Sequence, residues 1–321
     1  MRLLFITATR IGDAVLSTGI LDHLIRTHPG AQVTVACGPA AAGLFAHVPG
    51  LDRVVAMPKR PLALHWLALW RASVGTRWDL AVDLRGSAIT GLLRAQRRIV
   101  RRGGRKGLNR VAELGLLLGL DPPPLPVVWT SAAEQAAAAR RIPPGAPVIG
   151  LGPTANWPGK VWPAEKFVAL FDALATASMA GARAAIFAGP GEAERAGAEA
   201  VMRALPRRRV IDLAGQLSLT EAAACLARCD LYVGNDSGLM HLAAAAGAPT
   251  LGLFGPSPPE EYAPAGPRAA FVRTPETMAE LIARPGYDHR TTGTLMGTLG
   301  VDAVVTGARA LLDRIGRRAA E

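Results

Sequence analysis

Short, continuously apolar runs separated by helix-length segments recur along this chain, and no other feature limits its fold so tightly. In the first half they are LLFITA (3–8), AQVTVAC (31–37), DRVVAM (52–57) and DLAVDL (79–84). In the second half they are PVIGLGP (147–153), RAAIFAGP (183–190), RRVIDLAG (208–215), DLYVGN (230–235) and PTLGLFG (249–255). A strand that is apolar on both faces needs cover on both, which a parallel sheet flanked by helices supplies. Helix starts punctuate the runs: a helix is expected from about Asp13 to Thr27, Pro163 suits a first helical position, and Ser218-x-x-Glu221 reads as a capping box. Proline breaks the rhythm at DPPPLPVVW (121–129) and again at IPPGAP (142–147), so the domain boundary belongs between these breaks. With 321 residues, the expectation is an α/β protein of two doubly wound, Rossmann-like domains, 1–145 and 146–321. Ligands of such sheets bind beyond the carboxyl ends of the strands, so the loops there carry the functional reading.

Composition narrows the partners. The formal net charge is +11, and lysine occurs only at positions 59, 106, 160 and 166, so arginine supplies nearly all of the positive charge. RAQRRIVRRGGRKGLNR (94–110) carries eight basic residues and no acidic one. Two readings stay open, a solvated loop or a surface for something anionic. Nucleic acid is disfavoured because aromatics make up only 5% of the chain and none interleaves this stretch. Anionic lipid headgroups or a phosphorylated glycan fit better. No apolar run reaches the roughly 20 residues of a membrane span, and the apolar start meets Arg10 and Asp13 too early for a signal peptide. The expected location is cytoplasmic, with peripheral contact on an anionic inner membrane. Cys37, Cys225 and Cys229 are read as buried thiols rather than metal ligands or a disulfide.

Three loops of the second half hold the candidate site. The strand ending at Asn235 runs into Asp236-Ser237-Gly238 and then a helix of small apolar residues. Such a helix points free N–H groups and the positive end of its dipole out of the sheet, a ready phosphate site. Ser237 and His241 lie four apart and share a helix face. The competing readings make Asp236 or Ser237 an N-cap and His241 a core histidine. GPTANWPGKVWP (152–163) offers Thr154 as a hydroxyl donor and Lys160 as a cation, or else a merely solvated lysine. GPGEAE (189–194) is a weak, incomplete dinucleotide fingerprint. In the first half, Gly12 is expected to permit a tight turn, with Asp13 at a helix head, either as an N-cap or as a general base.

Together these residues carry a family resemblance. RIGDAVLSTGILDHLIRTHPGAQVTV, GKVWP and GNDSGLMHLAAAAGAPTLGLFGPSPP occur in order over nearly the whole chain and resemble signatures of the glycosyltransferase family 9 heptosyltransferases. The resemblance implies a GT-B fold, two Rossmann-like domains facing across a cleft. It implies an inverting, metal-independent transfer of heptose from ADP-heptose to the inner core of lipopolysaccharide. No cofactor or metal is expected, and no two aspartates lie two apart to form an Asp-x-Asp clamp. The implied roles are Asp13 as base and Lys160 as stabiliser of the leaving diphosphate. Thr154, Glu192, Asp236, Ser237, Gly238 and His241 are the implied donor contacts, with Glu194 the alternative to Glu192 at the ribose. Arg10, Gly12, Arg97, Arg98, Arg101 and Arg102 are the expected acceptor contacts. Gly19 departs from the proline common in the family. A nucleotide-sugar epimerase, a transferase using another nucleotide sugar, and a non-catalytic glycan or nucleotide binder are the alternatives.

Overall fold

Each half of the chain builds its own all-parallel sheet, as continuously apolar strands demand. A computed structural model describes residues 1–104, 107–288 and 291–320, and the chain divides into two units, Met1–Ser131 and Ala132–Glu321. Arg105 and Lys106 of the basic stretch lie outside the described residues.

The first unit runs β1 (Arg2–Ile6), α1 (Ile11–Thr27), β2 (Gln32–Cys37), β3 (Leu51–Ala56), α2 (Leu64–Ser73), β4 (Trp78–Asp83), β5 (Ala95–Val100) and α3 (Arg110–Leu116). Its strands lie in the order β3-β2-β1-β4-β5. The second unit contains α4 (Ala132–Arg141), β6 (Val148–Gly152), α5 (Ala164–Thr176), β7 (Arg183–Ile186), α6 (Glu192–Ala204), β8 (Val210–Asp212), α7 (Leu219–Leu226), β9 (Leu231–Asn235), α8 (Gly238–Ala245), β10 (Thr250–Phe254), α9 (Pro259–Tyr262), β11 (Ala269–Arg273), α10 (Met278–Ile282) and α11 (Val301–Ala320). Its sheet order is β11-β10-β9-β6-β7-β8. In both sheets the order reverses once, between β1 and β4 in the first and between β6 and β9 in the second. Those reversals are where a doubly wound sheet opens a crevice at its carboxyl edge.

The central strands are buried end to end, Leu3–Ile6 in the first sheet and Leu231–Val233 in the second, each fully shielded from solvent. In the second, the Tyr232 ring is packed across β6 and β9 so closely that a Cβ at Gly152 would sit 1.9 Å from its hydroxyl and one at Gly234 2.5 Å away. Burial raises the Tyr232 hydroxyl pKa above its ordinary value. The glycines of β6 and β9 are there because this ring occupies the space of their side chains.

Several expectations need correction. Helix α1 starts at Ile11, so Gly12 lies within its first turn rather than in a tight turn before it. The runs 183–190 and 208–215 yield strands of only four and three residues. Two edge strands, β5 and β11, are absent from the sequence reading. β5 is AQRRIV, inside the basic stretch, where arginines interrupt the apolar signal. Charge on an edge strand blocks pairing with a second sheet, which gives these arginines a structural reason. The capping box at Ser218 and Glu221 is present with both of its hydrogen bonds.

The departure at Gly19 has a packing cause. A Cβ there would lie 2.4 Å from the Pro124 carbonyl oxygen, because the proline-rich 121–127 segment crosses α1 at this point. Thr18 Oγ1 accepts the Val127 N–H at 2.9 Å beside it.

Candidate active site

In the second unit the loops after β6 and β9 flank the sheet's reversal, and they bring together Lys160, Asp236 and His241. The Lys160 ammonium donates to Asp236 Oδ2 at 2.5 Å, and His241 Nε2 lies 4.0 Å from Asp236 Oδ1. Lysine is partly exposed, whereas the Asp236 carboxylate and the His241 ring are nearly covered. A buried carboxylate needs a partner, and Lys160 supplies it from 76 residues away. This removes the solvated reading of Lys160. His241 is buried beside this pair, with only 5% of it exposed.

Helix α8 begins at Gly238 with Ser237 in the N-cap position, yet no side chain caps it. Asp236 is spent on Lys160, and the Ser237 hydroxyl is buried with no partner among the described residues. A buried hydroxyl left unpaired costs free energy unless a ligand completes it. The first N–H groups of α8 open beside it, without intrahelical acceptors. The Ser257 hydroxyl, in the loop after the neighbouring strand β10, is likewise buried and unpartnered. Sequence reading missed it; the signal was a serine just past the carboxyl end of a central strand.

The loop carrying Lys160 is held from both sides. Asn235, the last residue of β9, accepts the Trp162 N–H on Oδ1 at 3.0 Å. The 294–299 segment closes the other side, where Leu295 donates to the Gly159 carbonyl at 3.0 Å and Leu299 accepts from Trp162 Nε1 at 3.0 Å. The Trp162 indole is fully buried, edge-on to Phe167 with ring centroids 5.0 Å apart. Lys160 is therefore positioned by main-chain anchors, although it sits on a loop.

Thr154 is buried at the end of β6, and its methyl carbon lies 3.0 Å from where a Cβ would stand on Gly197 of α6. At the head of α6 the two glutamates differ. Glu194 accepts the Gly189 N–H at 3.3 Å, while Glu192 is exposed and makes no hydrogen bond to a described residue. Glu192 is the one with a carboxylate to offer.

In the first unit, Asp13 lies in the first turn of α1, just past β1 and half-buried. Its carboxylate forms no hydrogen bond or ion pair with any described residue, and the helix has no side-chain cap. The turn leading to it is fixed: Thr7 and Ser17 hydroxyls bond at 2.7 Å, and a Cβ on Gly38 would sit 2.6 Å from Thr9 Cα. Across the reversal, fully buried Asp83 ends β4 and accepts from the Arg85 and Ser87 N–H groups and from the Ser87 and Thr90 hydroxyls, at 2.5 to 2.9 Å. Arg85 lies over the Trp66 ring, 4.9 Å from its centroid, with its Nη1 buried and unpartnered. Neither Asp83 nor Arg85 was singled out from sequence.

Arg10 is exposed at the N-cap of α1. Of the basic stretch, Arg97 and Arg102 are exposed, but Arg98 donates to the Thr90 and Leu93 carbonyls and Arg101 grips Glu113 at 2.8 Å. Those two guanidiniums hold the unit's own loops.

The sequence profile of "Glycosyltransferase family 9 (heptosyltransferase)" matches residues 69–284. The chain belongs to glycosyltransferase family 9. This glycosyltransferase is 27% identical to lipooligosaccharide heptosyltransferase 2 of Haemophilus influenzae over 311 residues, 85% of this chain and 88% of the relative. It is 27% identical to lipopolysaccharide heptosyltransferase 2 of Escherichia coli over the same shares. Among solved structures, E. coli ADP-heptose lps heptosyltransferase II matches with a TM-score of 0.75 at 23% identity, over 98% of this chain and 100% of that one. The glycosyl transferase family 9 protein of Veillonella parvula DSM 2008 matches at 0.76 and 20% identity, over 97% of each chain. The fold of this family 9 enzyme is GT-B, with a parallel Rossmann-like sheet in each unit.

Proposed function

We propose that this enzyme transfers heptose from ADP-heptose to an inner-core lipopolysaccharide acceptor by a single inverting displacement without a metal ion. In this reading the second unit holds the donor, with the diphosphate against Lys160, Ser237, Gly238 and the α8 N–H groups. His241 hydrogen-bonds phosphate or sugar, Thr154 lies at the diphosphate and Glu192 at the ribose. The acceptor hydroxyl gives its proton to Asp13 while its oxygen attacks the anomeric carbon, and the bond from that carbon to the diphosphate breaks with its electron pair leaving on ADP. Lys160 and the helix terminus balance the charge that develops on the departing oxygen.

The observation that carries the reading is the Lys160–Asp236–His241 cluster beside the unpartnered Ser237 hydroxyl at the second sheet's reversal, in a family 9 chain whose relatives are heptosyltransferases. The free Asp13 carboxylate at the corresponding edge of the first sheet supports the base assignment.

The acceptor side falls to Arg10, Gly12, Arg97, Arg98, Arg101 and Arg102. Arg97 and Arg102 have guanidiniums to spare for acceptor phosphates, and Arg98 and Arg101 contribute charge while anchoring their loops. No helix among the described residues is long and apolar enough to cross a membrane. The proposed setting is the cytoplasmic face of an anionic membrane, reached peripherally.

Calorimetry across nucleotide sugars, followed by mass analysis of the acceptor product, tests the reading. ADP-heptose should give the binding heat, the acceptor should gain one heptose, and EDTA should change neither. Conversion of the donor without acceptor would make the protein an epimerase, and binding without turnover on any core acceptor would make it a binder.

A further inference from the structure

Helix α2 lies on the surface and carries apolar residues on its outer as well as its inner side. Its inner face, Trp66, Leu69 and Trp70, packs with Val74 on the core formed by β1, β4 and neighbouring residues. The outer side carries Leu64 and Leu67, 46% and 39% exposed, at the three-residue spacing that aligns side chains on one stripe, and exposed Arg71 follows on that stripe at the helix end. Just before the helix, Leu62 is 93% exposed. Leu62 and Ala63 hold left-handed backbone angles, φ 52° and 56°, a costly choice for residues with a Cβ. The 88–92 turn, which packs beside α2, adds Leu92 at 66% exposure. Leu62, Leu64, Leu67 and Leu92 are thus large apolar side chains grouped at the surface.

The charges around this face indicate what covers it. Lys59 and Arg60 are exposed just before these leucines, Arg71 is exposed at the end of their stripe, Arg94 is exposed two residues after Leu92, and no acidic residue occurs between Asp52 and Asp79 or between Asp83 and Glu113. Leucines fringed by cations, with no anion among them, match a bilayer whose surface is anionic and whose interior is hydrocarbon.

We infer that the 59–71 segment is a membrane-insertion element, in which Leu62, Leu64 and Leu67, joined by Leu92, enter the acyl boundary of an anionic leaflet while Lys59, Arg60, Arg71 and Arg94 remain at the headgroups. The inference deepens the membrane-acceptor reading and rests on it, but it assigns anchoring to a surface separate from the arginines of β5 and from the proposed chemistry. The element would hold the first unit at the leaflet where a lipid-linked acceptor resides.

The test uses the full chain and vesicles of equal parts phosphatidylethanolamine and phosphatidylglycerol. Leu62→Ser, Leu64→Ser and Leu67→Ser together should weaken vesicle binding more than about tenfold, including at low salt, since these leucines supply the buried apolar area. ADP affinity and transfer to a delipidated, soluble acceptor should not change. A second variant, Leu62→Cys, carries an environment-sensitive fluorophore; labelling is selective because the three native cysteines are buried. Its emission should shift to the blue with these vesicles and not with neutral ones. Unaltered vesicle binding in the triple variant, or no spectral shift, overturns the inference. So does a parent that dimerises in solution and a triple variant that does not, since the face would then belong to a second copy. If vesicle binding behaves as stated but no heptose is transferred, the anchor stands and the catalytic reading fails.

Discussion

The two units are built on one plan and finished differently at the edge where chemistry is expected. Both place a parallel sheet with a single reversal under a helix N-terminus. In the second unit that edge is already assembled: Lys160 and Asp236 are in contact, His241 is packed beside them, and main-chain bonds from Asn235 and Leu295 lock the loop. In the first unit, Asp13 stands with its carboxylate unclaimed. In the proposed reading the second unit holds a diphosphate, a ligand that rewards a site fixed in advance. A base must remain free to take a proton.

The largest expected effect separates the units by chemistry. Asp13→Asn keeps the shape but removes the proton acceptor, so turnover should fall by roughly 10² to 10⁴. Near-parental turnover in steady-state assays would take the base away from Asp13. Next, Lys160→Ala should weaken ADP binding and slow transfer together, each by roughly tenfold to a hundredfold, the worth of a charge-assisted contact. Lys160→Arg should recover only part of this, because a planar fork does not reproduce a compact ammonium. Equal activity of all three forms would return the lysine to a structural partner of Asp236.

A substitution at a third position probes stability in the first unit without touching its chemistry. Gly19→Ala drives a methyl into the Pro124 carbonyl and should cost about 1 to 3 kcal/mol by overpacking, read as a lower denaturant midpoint. An unshifted midpoint would mean that the 121–127 segment moves aside freely. The smallest effect is the same in both units. Burial pushes the Cys37 thiol up to about 12 and also raises that of Cys229. For Cys37 the folded value exceeds the unfolded one, so its contribution is present below pH 9 and is lost as pH rises toward about 12. Neither thiol should be alkylated at pH 8 until the chain is denatured; rapid native labelling of either would contradict its burial.

The central strands and the loops at their carboxyl ends were legible because they obey local rules: apolar runs mark buried parallel strands, and a polar turn between such a run and a helix marks a strand's carboxyl edge. Strand β5 was not, because its arginines answer to an edge position that only the assembled sheet creates. The glycines of β6 and β9 were seen as part of apolar runs, but their cause, the Tyr232 ring, lies across the strand pair. The support of Lys160 was equally hidden. Residues 294–299 reach it from more than 130 positions away, and nothing in their own sequence announces that partner. His241 was noticed for its chemistry, yet its burial beside Asp236 depends on tertiary packing that spacing along a helix does not convey.

Titration of ADP into Asp13→Asn and Lys160→Ala, with the parent enzyme measured alongside, tests the division of labour most directly. The account predicts that Asp13→Asn binds ADP as the parent does, while Lys160→Ala binds it at least about tenfold more weakly, in line with the loss of a charge-assisted contact. Parental affinity in Lys160→Ala, or a comparable loss in Asp13→Asn, would contradict it.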